Sequence, residues 1–216
     1  MGLLARILYL WMTVRSTTLK NEEISMLRSR VLMAAALSLC AGSVFAHPGH
    51  ADAGFASGLM HPVTGLDHLL VMLAVGLYAA GQRGTARWGL PLAFVLAMLG
   101  GSLLAMAGVA LPAIETTIAA SVVVLGLLLV SLGNLPLVFT LPLITIFAVF
   151  HGHAHYAEMG DAGFFRYAAG FVLATVGLHL AGFLSARWLP ESRAGLALKR
   201  GIGVAVSGAG MIMLGS

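Results

Sequence analysis

The sequence predicts an all-α membrane protein, a polytopic bundle of about six transmembrane helices that follow a cleaved signal peptide. Three observations predict it. Only 9% of the 216 residues are charged while 59% are hydrophobic. A soluble domain carries roughly 25% charged residues, so too few remain here to cover a water-facing surface. Six apolar stretches each approach the ~20 residues that a ~30 Å hydrocarbon core demands of a helix. The chain also begins with a recognisable export pattern.

That pattern lies in residues 26–46, MLRSRVLMAAALSLCAGSVFA. Arg28 and Arg30 form the basic region, Val31 to Cys40 the short apolar region, and Val44-Phe45-Ala46 the small-residue cleavage site. Cleavage after Ala46 makes His47 the first mature residue. Met26 stands where such a signal normally begins, so residues 1–25 are expected to be a misannotated upstream extension. The single cysteine, Cys40, leaves with the signal, and a mature chain without thiols has no disulfide and no thiolate ligand. The formal charge of +4 divides as +3 over residues 1–46 (five Lys/Arg, two Asp/Glu) and +1 over residues 47–216 (seven and six). The basicity therefore belongs mostly to the export segment and gives no support to nucleic-acid binding.

The six stretches of the mature region are expected at Ser57–Ala80, Trp88–Gly108, Ala113–Leu132, Leu135–Met159, Phe164–Leu189 and Leu198–Ser216. Turn-forming residues separate them, and residues 47–216 are expected to form one six-helix domain. Glycines are dense inside the stretches, as at Gly100-Gly101 and Gly208/Gly210. Small residues of this kind let membrane helices approach closely. A cleaved signal leaves the mature N-terminus outside, which places segments 81–87, 133–134 and 190–200 inside. These hold Arg83, Arg87, Arg193, Lys199 and Arg200, with Arg187 nearby, whereas the outside segments hold only Arg166. The arginine bias thus agrees with the signal peptide. Both imply a bacterial inner-membrane protein with both mature termini in the periplasm.

Ionisable residues inside membrane segments are costly and point to function. The first stretch carries HPVTGLDH, residues 61–68. His61 and His68 share a helix face two turns apart if the helix is continuous, Asp67 points about 100° from His68, and Met72 lies one turn below it. Pro62 and Gly65 can loosen the helix and free carbonyls for a cation. The fourth stretch closes on FHGHAHYAE, residues 150–158. There His151, His155 and Glu158 follow i, i+4, i+7 spacing while His153 faces elsewhere. Imidazole with carboxylate suits nickel, cobalt or zinc. Glu115 opens the third stretch on the outer side, as a helix-start carboxylate or as a ligand or partner of one. His179 lies deep in the fifth, as an exit-side ligand or as a hydrogen-bonded structural histidine. Phe94 either gates the path or packs. At the predicted mature terminus, His47 and His50 can chelate through imidazole and the free amine.

At these residues the chain resembles the HupE/UreJ family of hydrogenase and urease accessory membrane proteins. HPVTGLDH in the first mature helix and FHGHAHYAE at the end of the fourth carry the resemblance, together with the signal peptide and six helices. It implies a nickel, or cobalt, permease that supplies metalloenzyme assembly, with hydrogenase or urease maturation proteins or a metallochaperone as partners. By motif position it implies His61, Asp67, His68, His155 and Glu158 as functional residues, and by position within helices Phe94 and Glu115. Tyr156 departs from the family pattern, where glycine is expected.

The functional expectation is a membrane permease, not an enzyme and without a prosthetic group. It takes up Ni2+ or Co2+, with Zn2+ as a further candidate, through a site in the outer half of the bundle. His47, His50 and the His151–His155 face form its collecting region. No GxxxxGK[ST] motif is present, so transport is facilitated, ion-coupled or dependent on a separate ATPase. The rival readings are a membrane-embedded zinc hydrolase, a haem anchor using His68 and His179, and a periplasm-facing metal sensor or storage module.

Overall fold

A computed structural model of the chain describes residues 53–131, 135–159 and 163–215. The predicted signal peptide, Cys40, His47 and His50 lie outside them. Seven helices and no strand occur among the described residues: α1 Ala53–Thr64, α2 Leu66–Gly81, α3 Ala86–Met106, α4 Ile114–Ser131, α5 Leu137–Glu158, α6 Phe164–Trp188 and α7 Arg193–Leu214. Five of them, α3 to α7, are long and apolar enough to cross a bilayer, and the bent pair α1–α2 makes a sixth where the pair is counted as one span. The result is a polytopic helical membrane bundle.

Two expectations need correction. The first stretch is not one helix: it breaks at Gly65 and turns by 77°. Gly65 is not helical (φ −78°, ψ 114°). Its backbone still joins the helical ladder on both sides, donating to the His61 carbonyl and accepting from Leu69 N–H. Pro62 lies within α1, three residues ahead of the break. The last helix also begins earlier than hydropathy suggested. Ser192 caps it by accepting from Gly195 N–H at 3.2 Å. Arg193, Lys199 and Arg200 therefore stand on the first turns of α7 and not in an inner loop over 190–200.

The close helix pairs are α3 with α5, α4 with α7, and α6 with both α1 and α2. Each is built on facing glycines. A Cβ on Gly58 would run into the Tyr167 carbonyl and one on Gly170 into Phe55; Gly76 and Gly182 do the same against His179 and Leu73. Gly101 and Gly152 meet the carbonyls of Val149 and Met98. Between α4 and α7, Gly126 faces Gly203 and Ser207. Lipid gives little hydrophobic drive for helix association, so backbone-to-backbone packing of this kind carries it. Polar cross-links reinforce two seams, Ser102 Oγ to the Gly152 carbonyl at 2.7 Å and Ser207 Oγ to the Val123 carbonyl at 3.0 Å.

Val71, Met72, Val75, Leu90, Phe94, Met98, Val122, Leu125 and Ile144 form the apolar core. Leu92, Leu96, Val138, Phe139, Ile146, Val204 and Ile212 are exposed along the sides, as a lipid-facing surface requires. Exposed Trp88 and Trp188 stand beside the arginines at one end, where aromatic belts mark the interface. At that end a cavity of about 870 Å³ is lined by Tyr78, Arg83, Arg87, Arg187, Glu191 and Lys199, among others.

Candidate metal centre

At the opposite end, the α1–α2 break, the start of α4, the end of α5 and the start of α6 come together. The break decides the geometry. On a straight helix His61 and His68 would stack along one face. With the bend, their rings approach from two helices to a centroid distance of 5.7 Å. His155 of α5 enters between them, 4.8 Å from His61 and 4.0 Å from His68. One ring nitrogen from each of His61, His68 and His155 lies within 4.8 Å of the others, a set able to hold a metal ion. Gly65 is crowded by the site: a Cβ would lie 2.9 Å from His68 Nδ1 and 3.2 Å from Asp67 Oδ1.

The carboxylates occupy the open side. Glu158 Oε2 is 2.9 Å from His61 Nε2 and 3.7 Å from His155 Nδ1. Asp67 does not point away from His68 as ideal helical spacing suggested. At the first turn of α2 its Oδ1 accepts from the His68 backbone N–H at 2.8 Å and lies 2.9 Å from His68 Nδ1. That ring contact is out of line for a hydrogen bond, and both His68 ring nitrogens lack a hydrogen-bond partner, as do both of His155. Buried polar atoms normally find partners. Unpartnered imidazole nitrogens beside carboxylates are the donor set a divalent cation would satisfy. His155 and His68 are almost fully buried, whereas the side chains of Glu158, Asp67 and His61 are 46%, 29% and 27% exposed.

Glu115 is exposed in the first turn of α4 and does not touch the three imidazoles. It and Asp67 instead line one cavity of about 500 Å³ between the starts of α2 and α4 and the end of α7. His151 is not on an exposed collecting face. It is fully buried, its ring 4.8 Å from His68. Its Nε2 lies 2.9 Å from Ser121 Oγ, and Ser121 also contacts the Ile118 carbonyl at 2.6 Å. A carbonyl only accepts, so the single hydroxyl proton goes to Ile118 and His151 donates from Nε2. The lone pair of His151 is then on Nδ1, which has no partner. By the same logic His153 Nε2 donates to the Val109 carbonyl at 2.7 Å and ties α5 to the α3–α4 connection. Phe94 is fully buried beneath the cluster, 6.0 Å from His151. Tyr156 lies beside Phe164 at 6.1 Å.

Sequence reasoning missed Ser121 and the aromatic wall of α6, where Phe171 packs 3.8 Å from His155 and Tyr167 6.1 Å from His61. The i, i+4 spacing of Tyr167 and Phe171 was visible, but nothing in it says which helix they face.

The model of the family described as "HupE / UreJ protein" matches residues 35–213. The chain belongs to the HupE/UreJ family. It is 44% identical over 171 residues to "Protein HupE" of Rhizobium leguminosarum bv. viciae, covering 78% of this chain and 88% of the relative. No solved structure matches it. Both motifs of this HupE/UreJ chain contribute to one cluster, HPVTGLDH from the α1–α2 break and FHGHAHYAE from the end of α5.

Proposed function

We propose that this HupE/UreJ chain is a membrane permease for Ni2+ or Co2+, with the cation held in transit by His61, His68 and His155. The observation that carries the reading is the convergence of three imidazoles from three helices, with unpartnered nitrogens and with Glu158 and Asp67 at their open side. A hydrated divalent cation approaches through the cavity shared by Glu115 and Asp67, or past Glu158. As it sheds water, Glu158 gives up His61, whose Nε2 becomes a ligand beside His68 and His155. Asp67 balances the charge. The buried His151 receives the cation next, and Phe94 closes the path below. Nitrogen and oxygen ligands without thiolate favour Ni2+, Co2+ or Zn2+ over Cu(I), and membership of the HupE/UreJ family supports nickel or cobalt among these. Metalloenzyme maturation proteins or a metallochaperone would receive the ion.

The arginine-rich end is proposed to face the cytoplasm and the histidine end the periplasm, with residues 26–46 removed on export and residues 1–25 untranslated. His47 and His50 would then be the outermost ligands. N-terminal sequencing of the mature protein should read His47 first.

The deciding experiment is Ni2+ flux into proteoliposomes with Co2+, Zn2+ and Mn2+ as competitors. Saturable Ni2+ uptake blocked by Co2+ supports the permease. Tight metal binding without flux would replace it with a sensor or storage role.

A further inference from the structure

Below the three imidazoles, further rings lead into the bundle. The His68 ring is 4.8 Å from His151, His151 is 6.0 Å from Phe94, and Phe94 meets His179 edge-on at 5.3 Å and 86°. Phe94 therefore separates the histidine of the outer half from a histidine of the inner half. His179 is 4% exposed and makes no hydrogen bond from either ring nitrogen. The expectation of a hydrogen-bonded structural histidine is not met. Thr175, one turn earlier on α6, is fully buried with its hydroxyl oxygen equally unpartnered. At i, i+4 the two share a helix face.

On α2, Gly76 lies directly against the His179 carbonyl and brings the two backbones together. Tyr78, two residues further and so on another face of α2, is 5% exposed and lines the cavity at the arginine end. Ionisable groups at membrane depth face an interior path or pair with one another, and His179 has no pairing among the described residues.

We propose that His179, with the Thr175 hydroxyl, is an inner cation-binding station on the far side of Phe94. It takes the divalent cation from the Nδ1 side of His151 and releases it toward the arginine end of the bundle. This rests on the permease reading, but it adds a second binding site that can be counted without flux. One imidazole and one hydroxyl make a poorer site than three imidazoles and two carboxylates. The inner station therefore binds more weakly, as a conduction path needs so that the ion can leave.

The test uses full-length protein, with Co2+ absorption titrations in detergent and Ni2+ flux in proteoliposomes. Wild type should show a tight and a weaker class of Co2+ site. His179→Ala should lose the weaker class, keep the tight one unchanged, and carry Ni2+ about tenfold more slowly. His179→Gln, which keeps hydrogen-bonding capacity but ligates poorly, should behave like His179→Ala; it serves alone if the alanine variant does not insert. Flux within about twofold of wild type in either variant, or full rescue by glutamine, would overturn the proposal. If wild type shows no flux at all, the permease reading fails, and the titration still decides this one: loss of the weaker Co2+ class in His179→Gln supports the inner station, and its retention sinks it.

Discussion

At one end of the bundle Asp67, Glu115 and Glu158 stand around His61, His68 and His155. At the other, Arg83, Arg87, Arg187 and Lys199 line a cavity in which Glu191 is the only acidic residue among the described ones. The first end concentrates cations and offers them ligands. The second is dominated by guanidinium and ammonium groups, which repel cations and have no lone pair to give, with Glu191 as a single carboxylate among them. In the proposed permease a cation would be captured on one side and discharged on the other. In the proposed orientation membrane insertion would read the same residues, the arginines holding their end inside. Topology and cargo handling would thus use one charge asymmetry.

The largest effect should come from removing a ligand at the histidine end. His68→Ala and Asp67→Ala are expected to abolish Ni2+ uptake while the protein still inserts, because each removes a group at the centre of the cluster. Arg187→Ala at the opposite end should leave uptake within about twofold of wild type. Uptake assays on membranes matched for protein content compare them directly. If the arginine variant fails as completely as His68→Ala, the two ends do not differ in role.

Acid should distinguish the ends next. A protonated imidazole cannot ligate. His61, His68, His151 and His155, with Asp67 and Glu158 beside them, all stand at the histidine end, which is proposed to face the periplasm. Uptake should fall as external pH drops from 7 to 5. Acidifying the interior of the vesicle to the same degree should have a smaller effect. Equal sensitivity on both sides would count against a ligand cluster confined to the outer half.

How much of this was legible in the sequence depends on whether a feature is local. Span lengths follow from hydropathy alone, so α3 to α6 lie within two residues or so of their expected ends. The break was half visible: Pro62 and Gly65 marked a weak point, but not a 77° turn. That turn is what brings His61 to His155. Helical spacing placed His151, His155 and Glu158 on one face, yet it could not say that His151 is fully buried against Ser121. Likewise, glycine density was plain while the pairing Gly76 with Gly182 or Gly101 with Gly152 was not. Contacts across helices separated by a hundred residues leave no periodic trace.

Ser121 tests the hidden part of the histidine end. It touches no proposed ligand of the triad but fixes the proton on His151 Nε2. Outer groups of this kind typically matter by 10–100-fold when removed. Ser121→Ala should slow Ni2+ flux by about tenfold, at the low end of that range, because a neutral imidazole can still reach the right tautomer part of the time. Ser121→Thr keeps the hydroxyl and should restore most of the rate. Co2+ affinity of the outer site should be unchanged, which separates tautomer control from general damage.

The smallest effect compares two glycines, one at each end. At Gly65 a methyl group would press on His68 Nδ1 and Asp67 Oδ1; at Gly89, on the exposed side of α3 near the arginines, it would meet nothing within 4 Å. Gly89→Ala is in a helix and exposed, so it should stabilise slightly, by up to about 1 kcal/mol. Gly65→Ala relieves its crowding by moving the Asp67 carboxylate and the His68 ring by a few tenths of an ångström. The fold survives such a shift, since the neighbours are side-chain ends and not backbone. Metal geometry is less forgiving, and a few-fold loss of Ni2+ affinity with an unchanged melting temperature is the expected result. The pair therefore asks one question with one methyl group, whether tight packing at the break serves the bundle or the ligands. A fall in melting temperature for Gly65→Ala with normal Ni2+ affinity would assign the break to folding, and the contrast between the two ends would then rest on charge alone.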